Sequence, residues 1–184
     1  MSKRARQDGN RAEGTGEGAL SLEIYAMPGH LLRRMHQASQ AVFDSEIAAA
    51  GFDLTSVQYA AMAAIAARPG LGQAALASAI AFDRPTTGGV IDRLEAKGFV
   101  RREIDPDDRR SRRLFLERAG EAVLAKVTPV VRRAQDQILA GLSASEQKSF
   151  LRLLARALEA VGGARRQTAE PGNVGSPALQ ADRG

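Results

Sequence analysis

The stretch from Gly72 to Leu116, GQAALASAIAFDRPTTGGVIDRLEAKGFVRREIDPDDRRSRRLFL, restricts what this chain can become more than any other part of it. Leu76 and Ile80 stand four apart among the small residues Ala77 and Ala79, the pattern of a short helix packed closely on a neighbour. Ala81-Phe82-Asp83 reads as a turn. Asp83 can cap a following helix, and Pro85 falls in the first turn of that helix, where its missing N–H is harmless. The second helix therefore starts at about Arg84. Its apolar positions Val90, Ile91 and Leu94 recur at helical spacing and leave Arg84, Thr86, Thr87 and Gly88 in the opening turns, off the stripe. That end is expected to be polar, slim and exposed. Gly98 supplies a left-handed stop after Lys97.

Phe99, Val100 and Ile104 then lead into a strand, Asp105-Pro106-Asp107-Asp108 makes a turn, and Leu114-Phe115-Leu116 returns. RRSRR lies between the strands. Two helices joined by a tight turn and followed by a two-stranded ribbon of arginines form a winged helix-turn-helix, whose second helix can enter a major groove by its N-terminus while the wing reaches the adjacent minor groove. The candidate DNA-contacting residues are Arg84, Pro85, Thr86, Thr87, Gly88 and Arg93 on the helix, and Asp108, Arg109, Arg110 and Arg112 in the wing. Capping and solvation alone are the plainer reading of the helix residues, and a solvated hairpin tip is the plainer reading of the arginine run. Arg93, Arg101 and Arg102 face a choice between phosphates and neighbouring acids such as Asp92 and Glu103. Gly88 and Gly89 each cost about 1 kcal/mol inside a helix, which close approach to DNA or to another helix would explain.

The chain from roughly Leu31 to Val161 resembles the MarR family of bacterial transcriptional regulators. The wing of that family carries Asp-x-Arg, five residues, then Leu-Thr; Asp108, Arg110 and Leu116 match, and Glu117 replaces the helix-capping threonine. Glu117 can still favour a helix N-terminus by its charge. The resemblance implies that Arg110 enters the minor groove while Asp108 holds the wing. It also implies a homodimer interlocked by the first and last helices. A two-fold protein presents its recognition helices about 34–36 Å apart, one turn of DNA, and so reads a palindromic operator.

In the family, small aromatic acids bind between these helices and the DNA-binding lobe. A carboxylate there needs an arginine or histidine donor, and its ring needs a tyrosine or methionine wall. Arg33, His36 and Gln40, with Arg34 nearby, and Tyr59 are the candidates; ordinary interface packing and surface charge explain them equally. MPGHLLRRMHQ and DRPTTGGVIDRLEAKG resemble a NicR-like branch that controls the breakdown of aromatic and pyridine carboxylates. The expected function is a homodimeric repressor of a palindromic operator in double-stranded DNA, released by such a carboxylate. The alternatives are an architectural, sequence-tolerant DNA-binding protein without an effector, and an interaction module whose winged domain no longer binds DNA.

Composition agrees with this reading. Hydrophobic residues make up 44% of the 184, but aromatics only 4%, which favours helix-on-helix packing in a mainly α fold. The net charge of +5 suits a polyanionic partner without demanding one. No cysteine is present, so disulfides and thiol switches are excluded. The two histidines, His30 and His36, are six apart and share no helical face, so no metal site is expected. No serine has a partnered base, so neither catalysis nor a cofactor is expected. The longest apolar stretch, Val57 to Ala67, is too short to cross a bilayer and no signal peptide is visible, which leads to a cytoplasmic protein without a membrane partner.

In chain order, residues 1–20 read as a disordered basic tail, either inert or lending loose phosphate contacts through Lys3, Arg4, Arg6 and Arg11. Residues 21–163 form the MarR-like domain, in which 31–68 and 119–161 are dimerisation and support helices and 72–117 is the winged helix-turn-helix. Ser21 to His30 is a short ordered segment suited to lie on a partner subunit. Leu31 to Ala50 is a helix ended by Gly51, and Thr55 to Ala67 is a second, opened by a Thr-x-x-Gln capping box and closed by Pro69-Gly70. Ala119 to Gly141 is a long helix bent near Pro129. Ser143 to Glu146 is another capping box, opening a helix with Phe150, Leu151, Leu154, Leu158 and Val161 on one strip; Gly162-Gly163 stops it, and 164–184 is a disordered tail.

Overall fold

A computed structural model describes residues 23–168. The reading of 1–20 as a disordered tail, and that of 164–184 from residue 169 on, fall outside them, while residues 164–168 belong to a helix. The elements are α1 (Pro28–Ala49), α2 (Ser56–Ala67), β1 (Leu71–Gly72), α3 (Gln73–Ala79), α4 (Arg84–Ala96), β2 (Val100–Ile104), β3 (Arg112–Leu116), α5 (Arg118–Ile138) and α6 (Ala144–Thr168). The fold is mainly α with one small antiparallel sheet, a winged helix-turn-helix set among long helices. Two compact units are distinguished, one ending at Ile138 and a second starting at Leu139. No helix among the described residues is long and apolar enough to cross a membrane.

Local signals placed most element ends. Thr55 and Gln58 form the full reciprocal capping box that opens α2. Asp83 caps α4, with Pro85 in its first turn. α1 and α4 each end in the same closure: the N–H of Phe52 reaches the Ile47 carbonyl at 3.0 Å and that of Phe99 reaches the Leu94 carbonyl at 2.9 Å, around Gly51 and Gly98 at positive φ. α1 starts at Pro28 and not at Leu31, because the fixed φ of proline suits a first helical turn.

Three expectations need correction. The wing is not a two-stranded ribbon alone: β1 adds to β3, with Leu71 opposite Leu114, in the order β1-β3-β2. α5 ends at Ile138 rather than Gly141, and Leu139 to Leu142 form a turn; Pro129 lies within one continuous helix. Gly162-Gly163 does not stop α6, which continues to Thr168, because Gly162 keeps helical dihedrals and never takes the left-handed turn that ends a helix. At Ser143 the Glu146 carboxylate accepts from both the backbone N–H, at 2.8 Å, and the hydroxyl, at 2.6 Å, so the carboxylate half of the predicted box is present.

In the first unit Phe43 and Ile47 of α1, Met62 and Ile65 of α2, Leu76 of α3, Ile91 and Leu94 of α4, Val100 and Leu114 of the sheet, and Val127 and Val131 of α5 form one buried cluster. α1 lies along α5, where Gln137 Nε2 donates to Glu46 Oε1 at 2.8 Å. Gly120 seats the start of α5 against the wing, for a Cβ there would lie 2.2 Å from the Phe99 carbonyl oxygen.

α3 also ends in a left-handed closure, with the Phe82 N–H on the Ala77 carbonyl at 3.1 Å, but the residue at positive φ is Ala81, at 57°. Its Cβ carries a strain of roughly 1–2 kcal/mol that glycine would not. Ala81→Gly is expected to raise stability by about 0.5–1 kcal/mol after the added chain entropy, read as a Tm about 2 °C higher. Gly120→Ala is expected to lower it by about 1–3 kcal/mol, through the clash with Phe99. A neutral result at Gly120 in a denaturant titration would mean that α5 does not sit this close to the wing.

Candidate nucleic-acid interface

The N-terminal end of α4 is built by Asp83. Its carboxylate accepts from the Thr86 N–H at 2.7 Å, and this bond, with that of the Thr86 hydroxyl, holds its pKa below the usual carboxylate value. Arg84, Pro85 and Thr86 are exposed in the first turn. Thr87 is not: it is fully buried, and its hydroxyl donates to the Asp83 carbonyl at 2.8 Å. The expectation that Thr87 contacts DNA is corrected, since its Cβ lies on the same buried face as Val90, Ile91 and Leu94. Gly88 is explained from inside the protein, because a Cβ there would come within 3.2 Å of Gln73 Nε2 on α3, which also donates to the Arg84 carbonyl at 3.3 Å. A side chain at Gly88 would thus press on Gln73 across the α3–α4 approach. At Gly89 a Cβ would meet only Arg93 Nη2, at an ordinary 3.9 Å, and nothing in the structure explains that glycine.

In the wing, Asp108 ties the tip. It accepts from the Arg110 N–H at 3.0 Å and from the Ser111 hydroxyl at 2.7 Å; the Ser111 bond first, then the Arg110 bond, lowers its pKa. A carboxylate with a depressed pKa contributes stability above its unfolded value and loses it as the pH falls through the folded one, so this turn holds across neutral pH and opens only in acid.

The arginines separate into two groups. Arg113 pairs with Asp105 at 2.9 Å and Asp107 at 3.1 Å, which raises its own pKa and lowers that of Asp105. Arg101 pairs with Glu103 and, at 3.3 Å, with Glu117, and lies over the Phe115 ring at 4.7 Å. Arg102 pairs with Asp92 and Glu95. Among the described residues the guanidinium groups of Arg84, Arg93, Arg109 and Arg110 have no acidic partner, and that of Arg112 donates only to the carbonyls of Arg109 and Ser111. Within α4 and the wing, the charges left without acids are therefore those of the α4 opening, the wing tip and Arg93. Of the two partners open to Arg101 and Arg102, acids are the ones this structure shows, with Glu117 pairing to Arg101.

Arg93 borders a cleft of about 700 Å³ with Gln40, Ser56, Phe82 and Lys97. Of the four effector candidates only Gln40 lines it, accepting from the Ser56 hydroxyl at 2.6 Å. Arg33 and His36 are exposed on α1. Tyr59 leans on Phe43 with ring centroids 6.3 Å apart, and its hydroxyl lies 3.5 Å from Thr128 Oγ1. A second cleft, of about 640 Å³ between α2, the wing and α5, is lined by Arg101, Phe115 and Arg132 and by none of the four. The expected pocket of Arg33, His36, Gln40 and Tyr59 is therefore not gathered in either cleft: Tyr59 sits on α2, turned toward the α1–α5 packing. Sequence reasoning missed Gln73, Phe82 and the cleft position of Arg93; exposed Phe82 in the turn was the one available signal.

Known proteins agree with this arrangement. Residues 54–111 match the model of the MarR family. The transcriptional regulator HosA of Escherichia coli O111:H- is 37% identical over 131 residues, covering 71% of this chain and 94% of that protein. The HTH-type transcriptional repressor NicR of Pseudomonas putida KT2440 is 33% identical, covering 74% and 85%. The PcaV transcriptional regulator of Streptomyces coelicolor, solved with its natural ligand, superposes with a TM-score of 0.69 at 33% identity, covering 75% of this chain and 96% of that one. The transcriptional repressor CouR, solved on a 23-mer DNA duplex, gives 0.68 at 28% identity, covering 79% and 99%. With its winged helix-turn-helix intact and relatives matched over nearly their whole length, the chain belongs to the MarR family of DNA-binding transcriptional regulators.

Proposed function

We propose that this regulator is a homodimeric repressor that reads a palindromic operator with the α4 opening and the wing, and that a small aromatic or pyridine carboxylate releases it. The observation that carries the reading is the division of charge within α4 and the wing: Arg84 and Arg110 have no acidic partner on two exposed projections, while Arg101, Arg102 and Arg113 beside them are paired with acids. Arg84 and Thr86 contact base edges and phosphate, and Arg110, with Arg109 beside it, enters the neighbouring minor groove. Residues 72–117 act as the reading unit; the helices of 31–68 and 119–161 support and pair the subunits. Exposed apolar side chains support the pairing: Ile24, Tyr25, Leu31 and Leu32 at the start of the described chain, and Leu151, Leu153, Leu158 and Val161 along α6, each at least half exposed. Repression and ligand response are supported by NicR and CouR, named as repressors, and by PcaV, bound to its natural ligand. The cation for a carboxylate is Arg93, free in the cleft beside α4, with Phe82 to face a ring. Such an effector shifts the equilibrium only by its preference for the DNA-free dimer.

The test is a titration of the full chain against a palindromic duplex recovered from a randomised pool. Two chains should bind per duplex. Arg110→Ala should weaken binding about tenfold or more while sedimentation still reports a dimer; unchanged affinity removes the wing from the interface. Equal affinity for operator and random duplex, with a steep salt dependence, would favour the architectural reading.

Hydroxylated benzoates, cinnamates and pyridine carboxylates added to the complex should include at least one that frees the operator. If none does, the effector class is wrong.

A further inference from the structure

The wing is anchored only at its base. In the β2–β3 register Val100 faces Leu116 and Arg102 faces Leu114, and Val100 and Leu114 are buried. Beyond them, Glu103 opposite Arg113 and Ile104 opposite Arg112 carry the hairpin away from the core, with Glu103 and Ile104 exposed. Arg102 therefore sits at the last rung whose partner is buried, and its side chain turns to α4. Nη1 donates to Glu95 Oε2 at 2.8 Å, and Nη2 donates to Asp92 Oδ1. Asp92 and Glu95 are three apart on the helix, so one planar guanidinium spans neighbouring positions on one face. The arginine side chain is 27% exposed, the two acids 66% and 42%.

Ion pairs this exposed add little to stability. Their geometry is another matter: a two-pronged contact to two carboxylates admits few orientations, whereas a single pair admits many. We propose that Arg102 is a positioning residue for operator binding, clamping Asp92 and Glu95 so that the pitch of the wing against α4 is fixed and Arg110 meets the second groove when α4 lies in the first. This rests on the reading of Arg110 as a groove contact. Arg102 itself touches no DNA; it acts through the wing.

Two effects can be told apart by sign. If the triad merely mutes charge, Asp92→Asn with Glu95→Gln removes two negative charges beside the DNA and should tighten binding. If it is a clamp, the same double variant frees Arg102 and should loosen binding in spite of the gained charge. The experiment measures operator affinity by titration for Arg102→Gln, for Asp92→Asn/Glu95→Gln, and for each combined with Arg110→Ala. The expected result is an affinity loss of about tenfold for either clamp variant, with the Tm unchanged within about 2 °C, and less than about twofold further loss once Arg110 is already alanine. Arg102→Lys, able to hold only one carboxylate at a time, should fall between.

Tighter binding by the acid-neutralised variant overturns the clamp. So does an Arg102→Gln loss that persists undiminished in the Arg110→Ala background, which would make Arg102 a direct phosphate contact. If Arg110→Ala alone changes nothing, the wing reading fails first and separately. Should Arg102→Gln fold poorly, the acid-neutralised variant gives the same decision from the other side of the contact.

Discussion

Everything the DNA-facing surface does depends on one face of α4 being buried. Thr87, Val90, Ile91 and Leu94 have no exposed surface at all, and they lock the helix against Leu76 of α3 and the rest of the core. Because side chains on a helix cannot be moved independently around its axis, fixing that stripe also fixes where Arg84, Pro85 and Thr86 project. The N-terminal turn is held twice more, by the Asp83 carboxylate on the Thr86 N–H and by the Thr87 hydroxyl on the Asp83 carbonyl. An apolar stripe thus determines the position of a polar tip that makes no core contact.

Charge in α4 and the wing divides into a fixed group and a free one. An arginine bound to two carboxylates has lost both its net charge and its freedom, and Arg102 and Arg113 are each in that state, as is Arg101 with Glu103 and Glu117. They brace the wing to α4, across its own turn and to the start of α5. Within α4 and the wing, the guanidinium groups left without acids are those of Arg84 at the helix opening, Arg93 on its flank, and Arg109, Arg110 and Arg112 at the tip, where a polyanion can supply the missing partner. The turn beneath Arg110 depends on Asp108, whose carboxylate satisfies a backbone N–H and a hydroxyl at once. A negative residue is in this way part of a positive surface.

What the sequence made legible was local. The Thr55–Gln58 box, the Asp83 cap, the stops at Gly51 and Gly98 and the periodic stripe of α4 each need only a few neighbouring residues, and each is present. What it hid depends on chain distant in sequence. β1 exists because Leu71 meets Leu114, and Gly120 is required by the Phe99 carbonyl. Gly88 lies close to Gln73 of α3, a neighbour that spacing alone does not reveal. Thr87 looked like an interface residue because its type is polar, yet its angular position puts it with Val90 and Ile91, and its hydroxyl is satisfied by its own turn. The suggested effector residues divide for a related reason: of Arg33, His36 and Gln40, which follow one another along α1, only Gln40 reaches the cleft, because a cleft is closed by whichever elements cross it, here the end of α1, the start of α2 and the flank of α4. Ala81 gave no signal at all, since alanine has none of the preference of glycine or asparagine for a left-handed position.

The distribution of charge also bears on whether the helix binds by fit or by attraction. From Asp83 to Lys97 the chain carries three acids, Asp83, Asp92 and Glu95, against three bases, Arg84, Arg93 and Lys97, so α4 as a whole is electrically neutral. Lys97 is moreover engaged with Asp53 at 2.7 Å. A surface evolved for sequence-tolerant adhesion gains most from unopposed cations spread along the phosphates, and every acid placed there reduces it. If α4 enters a groove as proposed, its acids are tolerable only where contacts near Arg84 and Thr86 are short-ranged enough to outweigh them, which requires a groove of matching shape and base edges in register. A neutral helix beside a wing with excess arginine is what selective recognition demands: the wing supplies attraction at a distance, and the helix withholds it until the fit is right.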